Sequence, residues 1–88
     1  MRHARPEDLD RIEPLLDDIR ALVAGRALKE KKRGVFYLKS KSFLHFHEDP
    51  KGMFADVGLG DDFERIRVDE PAGAALLLQR IEALDTGA

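Results

Sequence analysis

The chain has 88 residues, 43% hydrophobic and 36% charged, with a formal net charge of −2 and no cysteine. A disulfide scaffold, a thiolate nucleophile and a cysteine-based zinc site are therefore excluded. A chain this short buries only about 60–65% of its unfolded surface, so residues 1–88 are expected to form one domain with a surface site, not an enclosed catalytic cavity.

No apolar run approaches the roughly 20 residues that span a bilayer, and Met1-Arg2-His3 opens without the apolar stretch of a secretory signal. A cytoplasmic protein with no membrane partner is expected. Pro6, followed by Glu7 and Asp8, reads as a helix start. Leu9, Ile12, Leu16, Ile19 and Val23 recur at helical spacing, with Leu15 and Leu22 widening the stripe and Gly25 ending it. Pro14 interrupts the pattern; one helix kinked at that residue is the expectation, and a fresh start near Glu13 the alternative.

Residues 26–44 carry seven basic groups against Glu30 alone, whereas 45–70 carry eight acidic and three basic groups. The basic block reads as a solvated connector. Together with a pI near 5.9, the acidic block makes duplex nucleic acid an unsuitable partner, since it would repel the same polyanion.

Four strands follow, at 35–38, 42–48, 53–59 and 63–68, rich in β-branched and aromatic residues. Asp49-Pro50-Lys51-Gly52 matches a type I turn, Lys39-Ser40-Lys41 serves the first hairpin, and an Asp61-Asp62 loop the last. A second helix starts at Pro71 and buries Leu77, Leu78, Ile81 and Leu84, with Gly73 costing its first turn about 1 kcal/mol relative to alanine. The expected fold is α+β: a four-stranded antiparallel meander with the N-terminal and C-terminal helices packed on one face.

The register that purifies the faces places Phe36, Leu38, Leu44, Phe46, Ala55, Val57, Leu59, Ile66 and Val68 beneath the helices. The other face then carries Val35, Tyr37, Phe43, His45, His47, Phe54, Asp56, Phe63, Arg65 and Arg67, with Gly58 leaving a gap beside Phe43. Turn lengths set His45 opposite Asp56, and Asp56 opposite Arg67. An idle solvent face would carry plainer polar residues.

The strings Gly34-Val35-Phe36-Tyr37-Leu38-Lys39 and Phe43-Leu44-His45-Phe46-His47-Glu48-Asp49-Pro50 resemble stretches of small conserved bacterial proteins, a likeness that spans about residues 30–68 and implies no activity. The order helix, four strands, helix is loosely similar to the MmcQ/YjbR-like proteins, whose α+β fold is associated with DNA binding; that likeness carries over no residues.

His45 and His47, two apart on one strand, place both imidazoles on one face at a spacing that suits a divalent ion, with Asp56 as a possible oxygen donor. Glu48 points to the other face and Phe54 neighbours His47. Four-ligand closure is thus not available from His45, His47 and Asp56, and no structural zinc or other cofactor is expected. The row His45, Asp56, Arg67 equally suits a structural ion-pair network, and an acid–base role for His45 oriented by Asp56 is the enzymatic alternative. No serine stands where a nucleophile is needed, and no glycine-rich loop cradles phosphate. Tyr37, Phe43, Arg65 and Arg67, flanked by Lys31, Lys32 and Arg33, suit a small anionic ligand, single-stranded nucleic acid or a second copy of the chain. The function expected is a small binding or interaction module acting through its open sheet face, and the alternative is a metal protein or enzyme centred on His45, His47 and Asp56.

Overall fold

The structure is a computed structural model that describes residues 1–84. Its first helical segment is two helices, α1 (Pro6–Arg11) and α2 (Glu13–Val23), not one kinked helix. Pro14 explains the break. It has no N–H to donate and its ring crowds the preceding turn, so the backbone leaves helical geometry at Ile12 (φ −113°, ψ 19°) and starts again with proline in the first turn of α2. The apolar stripe survives the break: Leu9, Ile12, Leu15, Leu16 and Ile19 are all buried.

The sheet holds six antiparallel strands, two more than expected. The four anticipated are β3 (Val35–Leu38), β4 (Lys41–Asp49), β5 (Gly52–Leu59) and β6 (Asp62–Arg67). The additions are β1 (Arg2–His3) and β2 (Leu28–Lys32), and the order is β2-β3-β4-β5-β6, with β1 joined to β4. The basic block is therefore no mere connector. Leu28 is buried, Glu30 accepts two hydrogen bonds from Arg20 of α2, and Lys29, Lys31 and Lys32 face solvent on an edge strand, where charge discourages pairing with another chain. The third helix, α3 (Pro71–Leu84), buries Leu77 and Ile81, leaves Leu78 partly covered and leaves Leu84 exposed.

The core face is as the alternation requires. Phe36, Leu44, Phe46, Ala55, Val57, Ile66 and Val68 join the buried helix residues in one apolar cluster, while Leu38 packs at its margin and Leu59, at the tip of the last hairpin, is exposed. Two details of register differ. Asp49 pairs with Gly52 across the expected turn, but the last hairpin turns at Gly60-Asp61, so Asp56 stands opposite Arg65 and Phe54 opposite Arg67. Gly60, at φ +59°, is the residue that suits the tight reversal. A shift of two residues keeps every side chain on its face, which is why the face assignment holds while the partner changes. In the first hairpin Phe36 pairs with Leu44 but Tyr37 with Ser42, so β4 bulges at Phe43. Phe43 is consequently buried with the core cluster, not displayed on the open face.

Among the described residues no helix is long and apolar enough to cross a membrane.

Gly73 has a role that helix propensity misses. A Cβ there would overlap the carbonyl oxygen of Arg67, where α3 lies against the end of β6. Propensity alone predicts that Gly73→Ala stabilises by about 1 kcal/mol. The packing predicts the reverse, a urea midpoint below that of the wild type; a raised midpoint would refute the close approach.

Candidate functional site

The site starts from one carboxylate. Asp56 lies mid-strand on β5, on the face away from the helices, yet is only 4% exposed. A charge so placed must be compensated, and its cross-strand neighbours do so. Arg65 on β6 donates from Nε to Oδ1 at 2.7 Å and from a terminal nitrogen to Oδ2 at 2.8 Å, a two-pronged pair. On the opposite side, His47 Nε2 lies 3.0 Å and His45 Nε2 3.7 Å from Asp56 Oδ2. Burial alone would raise the Asp56 pKa. The Arg65 hydrogen bonds, its charge and the two imidazoles reverse this and hold the carboxyl below its ordinary value.

The imidazoles are covered in turn. His45 Nδ1 and His47 Nε2 are closed off from solvent; His45 Nδ1 makes no hydrogen bond, and the near neighbour of His47 Nε2 is Asp56 Oδ2, at 3.0 Å. Burial lowers the pKa of both, aided for His45 by the neighbouring His47 and for both by His3 and Arg65, against the pull of Asp56. Both rings therefore hold a proton less readily than a free imidazole.

His3 was not anticipated from sequence. Strand β1 occupies the length of the β4 edge that β3 leaves uncovered, pairing Arg2 with Glu48 and His3 with His47. Its ring stands 4.8 Å from that of His47 and 6.0 Å from that of His45, and the His45 and His47 rings are themselves 4.8 Å apart. A two-residue strand carries no periodicity, so only the extended Arg2-His3 ahead of Pro6 hints at it.

The remaining residues of the expected site scatter. Tyr37 is half-buried on the open face beside Lys29 and Ser42. Arg67 stands opposite Phe54, two pairs along from Asp56, and binds Asp69 at 2.8 Å and Glu70 at 3.3 Å. Arg65 and Arg67 therefore each face a tethered carboxylate with which an anionic ligand would have to compete. Arg33 binds Asp10 and Glu13 on the helical side. Gly58 opens no gap: a Cβ there would run into the backbone of Asp62 and Phe63. Glu48 is held by Arg2 at 3.0 Å and Asp49 caps the turn through the Lys51 N–H, so neither joins the histidines. Phe63, 46% exposed, lies under the Arg65 guanidinium at 5.6 Å.

Compared with protein-family models, curated proteins and solved structures, the chain matches none.

The lowered imidazole pKa values have a consequence for stability. From the ordinary 6.5 downward, the unfolded chain takes up protons that folded His45 and His47 resist, so the folded state loses stability as pH falls through that range and regains it above. The buried aspartates with lowered pKa values, Asp8 and Asp56, add their loss only further into acid, around and below their ordinary 3.8. Thermal melts in chelator should show Tm declining below about pH 6.5, and the double variant His45→Gln with His47→Gln should flatten that limb. A wild-type Tm constant from pH 7 to pH 5.5 would contradict the burial of these rings.

Proposed function

We propose that this protein is a binding module that takes up a divalent transition-metal ion of the zinc class on the open face of its sheet, through His45, His47 and Asp56. One observation carries the reading: a nitrogen of each imidazole and an oxygen of Asp56 lie within 4.8 Å of one another. Imidazole and carboxylate are the donors such an ion takes in a site without sulfur. Donors on one tetrahedral zinc stand about 3.3 Å apart, so the most widely separated pair has to draw in by up to about 1.5 Å, a movement that requires side-chain rotation.

Self-association is a second reading, favoured by the exposed Phe63 at the rim of this face. The two are separated by one set of measurements on the untagged chain. Calorimetric titration with Zn²⁺ should give a single site of micromolar or tighter affinity that weakens at least tenfold in His45→Gln or His47→Gln, while sedimentation stays monomeric. A wild-type affinity no better than millimolar would overturn the metal reading. A concentration-dependent dimer that dissociates in Phe63→Ala, with no zinc site, would put the second in its place.

A further inference from the structure

We infer that β1 is a metal-fastened clasp, in which His3 joins His45, His47 and Asp56 as the fourth donor and the bound ion ties the start of the chain to the sheet. This rests on the metal reading above and extends it to a residue on a different segment.

The placement of His3 follows from alternation. Side chains of successive strand residues point to opposite faces. Arg2 turns toward the helical side, where its guanidinium meets Asp8 at 3.1 Å and Glu48 at 3.0 Å. His3 must then turn the other way, onto the face of His47, its cross-strand partner. Asp8 is buried at the start of α1 and also accepts the Arg5 N–H at 2.9 Å, so the anchor that orients Arg2 is itself fixed. The Ala4 N–H donates to the Phe46 carbonyl at 3.1 Å and sets the register.

The ring positions suit an ion at their centre. A zinc–nitrogen bond of about 2.05 Å puts each ring centroid about 3.2 Å from the metal, and tetrahedral angles then separate the centroids by about 5.2 Å. The three separations here are 4.8, 4.8 and 6.0 Å, which bracket that value; the His3 nitrogens stand outside the group of donor atoms formed by His45, His47 and Asp56, so the exposed His3 ring has to turn to present one to the ion. Adding Asp56 Oδ2, which faces the imidazoles while its other lone pairs serve Arg65, makes four donors. Four is the number a structural zinc takes, and it is the number that the single hairpin of β4 and β5 could not supply. The set is closed, so the ion's role is to join segments and not to activate water.

The clasp has a physical need. Strand β1 is two residues long and both are exposed, so its ladder alone gives it little hold on β4. An ion ligated by His3 and by two residues of β4 would add a bond across that seam.

The test uses the untagged chain, with Zn²⁺ and with Co²⁺ as a spectroscopic stand-in. His3→Gln should weaken Zn²⁺ binding at least tenfold and reduce the visible absorption that tetrahedral Co²⁺ gives in the wild type. It should leave the melting temperature of the metal-free protein unchanged, since His3 is exposed. In the wild type, Zn²⁺ should slow hydrogen exchange at the Ala4 amide at least tenfold, and in His3→Gln it should not. If His3→Gln binds like the wild type while His45→Gln and His47→Gln do not, the clasp is wrong and the metal reading stands. If all three bind like the wild type, or the wild type does not bind, both fail.

Discussion

A carboxylate buried at mid-sheet is the constraint from which the second face of this protein is built. Asp56 sits where a small apolar residue would cost nothing, and once there it must be neutralised by whatever flanks it. On one side that is Arg65, whose planar fork matches both oxygens. On the other side a pair of imidazoles shields the carboxylate from water, and the same burial lowers their own pKa values. The register of the β5–β6 hairpin and the composition of the open face are two aspects of one electrostatic requirement.

Asp8 plays the corresponding part on the helical side. It is fully buried, accepts the Arg5 N–H at the start of α1, and draws in the guanidinium groups of Arg2 and Arg11. That cluster links the first helix to the first strand, and through Arg2 and Glu48 to β4. A third network, Arg20 with Glu13 and Glu30, ties α2 to the edge strand β2. The many charges of this chain are thus used less as a coat than as fasteners between elements too short to hold by apolar area alone, which is a common need in a domain of this size.

The two faces divide the work. Among the described residues, helices α1, α2 and α3 cover the apolar side, and the groups that close over Asp56 come from the strands themselves. The strands beneath such a face are rigid β-structure, so only side-chain rotation is left to bring its donors together. That is the chemical basis on which an ion-binding role is proposed, in preference to an anion site, where both arginines would first have to leave their carboxylates.

Much of this was legible in the residues alone. Alternation of apolar side chains chose the faces, helical spacing chose the stripe from Leu9 to Ile19, and Asp49-Pro50-Lys51-Gly52 fixed the central hairpin and with it the pairing of His45 with Asp56. These are local matters, governed by periods of 2 and 3.6 residues and by turn chemistry, and a sequence carries them directly. What lay beyond it was long-range or marginal. The bulge at Phe43 and the two-residue shift that gave Asp56 to Arg65 depend on which of several similar turns costs least once the strands are packed. The edge strand β2 exists because Leu28 and Glu30 find α2 and β3 beside them, and nothing in Leu-Lys-Glu-Lys-Lys by itself requires it. Above all, His3 comes to the histidines of β4 from more than forty residues away in sequence, carried there by the pairing of Arg2 with Glu48 and by the pull of Asp8, contacts that exist only after the chain has folded.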